Sequence, residues 1–532
     1  MNTAILISSL IIIICIVASK ISMKVGVPSL LLFLVLGMLF GSDGILKIEF
    51  DNYVVAEQIC TITLIFIMFY GGFGTNWKVA KPVAKKAFLL SFVGTFITSM
   101  VTGVLCYFVL KFELFESFLI ASVIGSTDAA SVFSILRSKN LNLKDGLASL
   151  LELESGSNDP MSYMLTVIFL GLIGKTLNSP LSIVYMVFAQ IVFAVIVAAL
   201  ISFMAYNVLK KFKFPVSGLD TIFVLAVALL SYSLSSIVGG NGYLAVYLVG
   251  IVLGDSSIKN KVALVNFFDG VTGLMQMVLF FLLGLLSFPS RISNVAPTAI
   301  FVALFITFVS RPIAVLAILT PFKVSLKKQL LIMWAGLRGA ASIVFAIFVI
   351  VNGEAISYDI FHIVFFLAII SVSFQGTLLP IIAKKLGLVD SAENVLKTFN
   401  DYVDDDDMGL IQVNITKNHH WVGREIKDIE LPENSIIITI ERGDETIIPN
   451  GSTVINSGDT IILNAKRTKY YDITLKEINI NINHPWKNKE LKDLKLPKDN
   501  LIVMIKRDGG TIIPRGNTMI KYRDVLLMRN ND

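Results

Sequence analysis

Thirteen apolar stretches, each near the twenty or so residues a helix needs to cross a bilayer, follow one another over the first 384 positions. They cover 3–20, 27–45, 54–73, 87–110, 115–136, 147–174, 181–208, 219–238, 240–255, 264–287, 294–320, 328–352 and 358–383. Past 385 the pattern changes to short β-branched runs separated by turns and charges. It predicts a polytopic α-helical membrane protein with a soluble α+β tail. The boundaries read from it are 1–390 for the membrane domain and 391–408 for an acidic linker, then 409–470 and 471–532 for two tail domains.

Charge placement orients the spans. Lysines and arginines gather after spans 1, 3, 5, 7, 9 and 11, whereas the alternate connections hold Lys47, Lys111, Lys175 and Arg291. Positive loops stay inside, so the N-terminus is expected outside and the tail in the cytoplasm. Residues 4–18 lack a basic leader and read as a retained helix rather than a signal peptide. Thirteen spans permit two six-span repeats, 1–6 and 8–13, of opposite orientation about a linking seventh.

Composition changes this picture little. A chain that is 55% hydrophobic and 16% charged, with a mean hydropathy of +0.75, cannot cover a soluble surface. The net charge of +6 comes from loop lysines and points to membrane lipid, not nucleic acid. Cys15, Cys60 and Cys106 fall inside apolar runs without ligand spacing and read as small buried hydrophobes; no metal site is expected.

Polar residues inside the spans are few, and they cluster. Span 5 carries Gly125-Ser126-Thr127-Asp128-Ala129-Ala130 at its middle. Ser, Thr and Asp compete with helical hydrogen bonds, so an interrupted helix is expected there. Span 6 carries Glu152, then Glu154-Ser155-Gly156-Ser157-Asn158-Asp159-Pro160. At helical spacing Glu154, Ser155, Asn158 and Asp159 form one polar stripe. Pro160 cannot donate to the Gly156 carbonyl, so a bend is expected. Glu152, nearer the cytoplasmic end, reads as solvated, while Asp159 lies deeper and is the candidate functional carboxylate. Span 12 carries Gly336-Leu337-Arg338-Gly339-Ala340, and Arg338 is expected to pair with Glu154. Arg311, ahead of Pro312, either sits in the core or snorkels.

A lone carboxylate can hold a proton or coordinate a dehydrated cation, and each occupant disfavours the other. Competition for one site couples two fluxes if the protein moves when the charge is occupied and resists moving when it is bare. A ligand-gated cation channel is the alternative, but it needs a pore filter, and no Thr-Val-Gly-Tyr-Gly string is present. A hydrolase is not supported either, because His362 and the tail residues His419, His420 and His484 make no catalytic pair with a span serine.

Ser126-Thr127-Asp128-Ala129-Ala130, the string from Leu151 to Pro160, and Gly336-Leu337-Arg338-Gly339-Ala340 resemble the monovalent cation:proton antiporter family 1, most closely its bacterial potassium/proton branch. The resemblance covers about 1–390. It implies a homodimer in which a core domain with two crossed broken helices works against a dimerisation domain. Asp159 would bind cation or proton. Thr127 and Asp128 would form the crossing site, Ser155 and Asn158 would add oxygens, and Glu154 with Arg338 would be a structural ion pair. Having Asn158 where other exchangers carry a second aspartate implies electroneutral exchange. Ala129-Ala130 departs from the Thr-Asp-Pro of many sodium exchangers, which favours K+ while leaving Na+ allowed.

The tail repeats itself at an offset of 65 without a gap. Trp421 matches Trp486, Lys427-Asp428 matches Lys492-Asp493, Arg442 matches Arg507, and Thr446-Ile447-Ile448-Pro449 matches Thr511-Ile512-Ile513-Pro514. Strands are expected at 436–440, 446–448 and 459–463, and a helix at 424–429. Each copy resembles the RCK C-terminal (TrkA-C) module. That resemblance implies regulation through a small effector, cyclic di-AMP in some transporters. The strand-borne Arg442 and Arg507 either meet an effector phosphate or serve the fold. No glycine-rich fingerprint precedes the pair, so no dinucleotide cofactor is expected. The aspartates of 400–407 read as a solvated connector.

Overall fold

In the computed structural model, residues 2–390 and 408–529 are described, apart from 26–27, 76, 140, 213, 216–217, 257, 259–260 and 354–355 in the first stretch. In the second stretch 418, 432–434, 444, 467–474, 482–483, 495, 497–500, 508–509 and 513 are the exceptions. The expected acidic connector therefore lies outside the described residues. The chain forms two compact units that divide between Val403 and Asp404.

Among its described residues the first unit is helical but for one small sheet. Its helices are α1 (Asn2–Val25), α2 (Ser29–Phe40), α3 (Tyr53–Phe73), α4 (Trp77–Leu89), α5 (Thr95–Phe108), α6 (Leu114–Val123), α7 (Ala129–Ser138), α8 (Leu147–Ile173) and α9 (Pro180–Lys211). There follow α10 (Leu219–Ile237), α11 (Gly242–Asp255), α12 (Lys261–Leu285), α13 (Ile292–Phe305), α14 (Arg311–Leu319), α15 (Leu326–Trp334), α16 (Ala340–Asn352), α17 (Ile360–Ile370) and α18 (Gly376–Lys385). Three pairs are single rods joined by one widened π turn: α4 to α5 at Leu90–Gly94, α13 to α14 at Ile306–Ser310, and α17 to α18 at Ser371–Gln375. Among the described residues seven helices are long and apolar enough to cross a membrane, and several shorter apolar helices lie between them. This is a multi-pass membrane protein.

Packing sorts these helices into two groups: α1–α3 mainly with α9–α12, and α4–α8 mainly with α13–α18. The first group is joined by backbone contact. Gly37 of α2 lies against Phe281, Gly284 and Leu285 of α12, and Gly72 of α3 lies against Tyr247, Gly250 and Ile251 of α11. A methyl group at any of these glycines would collide with a facing main chain, which only small residues allow.

The second group holds the interruptions. α6 ends at Val123 and α7 begins at Ala129, while α15 ends at Trp334 and α16 begins at Ala340. α8 runs unbroken through Pro160. Its start is fixed by a two-residue sheet, β1 (Asn142–Leu143) against β2 (Val389–Asp390), and by left-handed turns at Asp145 (φ 57°) and Gly146 (φ 69°). Lys328 at the start of α15 pairs with Asp145 at 3.0 Å.

The second unit contains two copies of one antiparallel sheet. The first has β3 (Met408–Asn414), β4 (Ile436–Arg442), β5 (Glu445–Ile447) and β6 (Thr460–Lys466), ordered β3-β6-β4-β5. The second has β7 (Leu475–Asn479), β8 (Leu501–Arg507), β9 (Gly510–Ile512) and β10 (Val525–Arg529), ordered β7-β10-β8-β9. The cores correspond residue by residue. Ile415, Ile437, Ile440, Ile455, Ile461 and Leu463 stand where Ile480, Ile502, Ile505, Ile520, Leu526 and Met528 stand in the second copy.

The helix expected at 424–429 is instead a single 3-10 turn, Ile426–Asp428. The flanking backbone is tied to 451–455 by Ile426 N–H to Thr453 O (3.1 Å) and Lys427 N–H to Gly451 O (3.0 Å), and six residues cannot repay helix nucleation on their own. The opening strands β3 and β7 were not among the expected elements.

Arg442 and Arg507 are held inside their copies. The Arg442 Nε and Nη2 donate to the two oxygens of Asp459 at 2.8 and 2.9 Å, and Arg507 grips Asp524 in the same way at 2.7 Å. Asp459 and Asp524 are fully buried side chains. The Arg442 hydrogen bond holds the Asp459 carboxyl below the usual carboxylate range. Burial pushes Asp524 up, but Arg507 and the Lys521 amide prevail and hold it low. A depressed folded pKa gives stability that is complete above the unfolded value near 4 and is lost as pH falls through the folded value.

Two outcomes follow. Arg442→Gln should destabilise the first copy by about 1.5–3 kcal/mol at neutral pH, the worth of hydrogen bonds to a charged group, with the loss shrinking in acid. Arg523 has φ 69° where the first copy has Gly458 (φ 94°). Arg523→Gly should therefore protect the second copy by about 1 kcal/mol. Hydrogen exchange on the two sheets, at pH 7 and pH 4, measures both.

Candidate functional site

The two interruptions cross, and their backbones bond to each other: Asp128 N–H donates to Leu337 O at 2.8 Å. Each broken rod leaves carbonyls and amides that an apolar interior cannot satisfy. The side chains of the breaks complete them. The Arg338 Nη1 donates to Gly125 O and Ser126 O at 2.6 and 2.7 Å, capping the C-terminal end of α6. The Asp128 carboxylate accepts from Ser131 N (3.1 Å) and Ser131 Oγ (2.6 Å) at the N-terminus of α7. The positive side chain thus sits at the negative helix end and the negative one at the positive end. The Arg338 amide is held by Ser371 Oγ at 3.0 Å, within the third π turn, and Ser371 donates to Gln375 Oε1 at 2.6 Å. Gly339 lies so close to Asp128 that a methyl group would run into its carboxylate.

α8 lies against this crossing. Ser155 Oγ donates to Thr127 O at 2.6 Å and accepts from Ala129 N at 2.8 Å, so its hydroxyl splints the break. Asn158 Nδ2 donates to Thr127 Oγ1 at 2.6 Å. Ser162 Oγ donates to Ser122 O one turn further on. The five residues Ser155, Asn158, Asp159, Thr127 and Asp128 are therefore brought together. Asn158 Oδ1 and Asp159 Oδ1, both buried, accept no hydrogen bond among the described residues. Asp159, Ser155, Asp128, Thr127 and Ser126 line a cavity of about 520 Å³, which is also lined by Asp269, held by Tyr70 Oη at 3.1 Å.

Two expectations require correction. Glu154 does not pair with Arg338. It forms a bidentate pair with Arg311, Nη1 to Oε1 at 2.6 Å and Nη2 to Oε2 at 2.8 Å, and both residues are at most 2% exposed. Arg311 is thereby a core residue rather than a snorkelling one. Gly336 makes room for it, since a methyl there would stand 2.9 Å from the Arg311 Nε. Arg338 is instead consumed by the carbonyls of the first break. Glu152 is likewise not solvated: it is 5% exposed, lines the cavity and accepts from Thr75 Oγ1 at 3.3 Å. Reading each helix alone missed both, because the partners come from α14 and the end of α3.

Two broken helices that cross against a carboxylate-bearing helix form the core of a secondary transporter. The chain belongs to the sodium/hydrogen exchanger transmembrane family, whose model matches residues 7–385, and it carries two TrkA-C domains at 410–472 and 475–529. A relative from Alkalimonas amylolytica, the K(+)/H(+) antiporter NhaP, is 31% identical, over 89% of this chain and 83% of its own. The K(+)/H(+) antiporter NhaP2 of Shewanella sp. (strain MR-4) is 30% identical, over 86% and 80%. The solved sodium proton antiporter MjNhaP1 of Methanocaldococcus jannaschii shares the fold with a TM-score of 0.64 and 24% identity, over 72% of this chain and 99% of that one.

The pairing makes a test. Arg311→Met alone strands a buried carboxylate and should cost about 3–5 kcal/mol, whereas Glu154→Leu with Arg311→Met should recover most of it. Glu154→Leu should not rescue Arg338→Met. Thermal unfolding in detergent separates the three.

Proposed function

We propose that the chain is an antiporter exchanging a monovalent cation, K+ in preference to Na+, for H+ across a bacterial cell membrane. The observation that carries this is the pair of buried, uncommitted oxygens on adjacent residues, Asn158 Oδ1 and Asp159 Oδ1, next to the crossed breaks, with Asp159 itself lining a cavity. Oxygen donors of this kind suit a hard monovalent cation, and the carboxylate alternatively takes a proton. Thr127 and Asn158 orient each other, Ser155 fixes the break, and Asp128 and Arg338 neutralise the helix ends around the exchanging charge. With one exchanging carboxylate, one cation leaves for each proton that enters, and the cycle is electroneutral. The relatives named as K(+)/H(+) antiporters support K+.

The proposal includes thirteen spans in two inverted six-span repeats, with the N-terminus outside. Internal correspondence supports it. Spans 5 and 12 are both interrupted, and spans 4 and 11 both contain a π turn. The two glycine crossings join spans 2 with 10 and 9 with 3, pairs that exchange when each span is replaced by its counterpart seven places on. A homodimer assembled through the first helix group, and effector control through the TrkA-C pair, complete the reading.

In proteoliposomes, Asp159→Asn should reduce K+-driven proton movement to the level of empty liposomes. The wild-type rate should not change when a membrane potential is imposed. Exchange surviving in Asp159→Asn would sink the assignment, and a voltage-dependent rate would sink electroneutrality.

A further inference from the structure

The side of Asp159 away from the cavity is closed in a different manner. Tyr163, one turn further along α8, meets Tyr243 at 5.1 Å between ring centroids, Phe348 at 5.2 Å and Phe345 at 5.8 Å. Tyr243 meets Tyr232 at 5.0 Å. These rings come from α8 and α16 in one helix group and from α10 and α11 in the other, so the cluster is a seam between the groups.

Asn241 crosses that seam with polar bonds. Asn241, the N-cap of α11, is 2% exposed. Its Oδ1 accepts from Leu244 N at 3.1 Å, and its own amide N–H donates to Gln190 O at 2.9 Å. Its Nδ2 donates to Pro160 O at 2.8 Å and faces Gln190 Oε1 at 3.3 Å. Because Oδ1 is taken by an amide donor, the orientation of the carboxamide is fixed. Pro160 is the residue after Asp159. The scaffold helices therefore grip α8 by a carbonyl next to the exchanging carboxylate, just past Asp159, the last residue of α8 to line the cavity.

We infer that Asn241 is a positioning residue, the latch that keeps the far side of Asp159 shut while the cavity side is open. The inference rests on the exchange reading. Exposing Asp159 on the far side requires α8 to part from α11, which breaks the Nδ2–Pro160 bond and opens the aromatic seam. The bond is made in one state and lost in the other, so it biases the equilibrium between them.

Asn241→Ser isolates this role. Serine caps helices about as well as asparagine, so α11 keeps its start, but serine has no amide to reach Pro160. Loss of the latch should raise the far-side-open fraction about fivefold, and the apparent KM for K+ at that face should fall by the same factor, because apparent affinity scales with the competent fraction. The KM at the cavity face should barely move. Full-length protein in vesicles of either orientation supplies both KM values, and thermal unfolding confirms that the variant is folded. Unchanged KM values at both faces, or a fall in kcat alone, would overturn the latch and leave the exchange reading standing. A wild-type protein without exchange would overturn both.

Discussion

Four helix ends meet in the middle of an apolar bundle, and nothing about the site is stable unless their backbone groups are satisfied there. Water cannot do this at membrane depth, so the chain does it with its own side chains. Asp128 and Arg338 serve the two ends of the first break, and the backbone bond from Asp128 to Leu337 fastens the breaks together. Ser155 reaches in from α8 to splint the same break. Asn158 and Asp159 are aimed where they are because α8 is docked by these bonds. The placement of the Asp159 carboxylate thus depends on the crossing.

The crossing explains why so much of the site was legible in the sequence. A Gly-Ser-Thr-Asp run in an otherwise apolar span cannot remain a plain helix, and a stripe of Ser, Asn and Asp at helical spacing must face something polar. The break at 124–128 and the cluster about Asp159 follow from local chemistry alone. The partner of Glu154 did not. Helical spacing gives the direction in which Glu154 points, but the neighbour it finds depends on which helix arrives there. Arg311 follows a π turn at Ile306–Ser310. The widened turn rotates the register of everything after it, and no residue in that stretch announces it. Glu152 was misplaced for a related reason: its distance along the chain from the helix end was legible, but the helix packed over it was not.

In the tail the duplication was plain because no gap separates the copies, and the structure carries the correspondence down to the Arg442–Asp459 and Arg507–Asp524 pairs. The short helix was overread. Periodicity over six residues cannot distinguish a helix from a tethered turn, and here two backbone bonds to residues 451 and 453 decide it. The opening strands escaped notice because each begins next to residues with linker composition.

The glycine crossings of α2 with α12 and of α3 with α11 carry a mechanical meaning. Side chains that interdigitate can hop from one groove to the next, but two main chains in contact have no such intermediate positions. A shift of a single residue would drive a side chain into a carbonyl. These pairs behave as welds, and the helices they join form one stiff frame. Any sliding within the membrane domain must then take place along the surface where that frame faces α8 and α16. Aromatic rings and the Asn241 carboxamide lie along that surface, and no main-chain contact at a glycine crosses it among the described residues. The shear plane is set by where main chains do not touch.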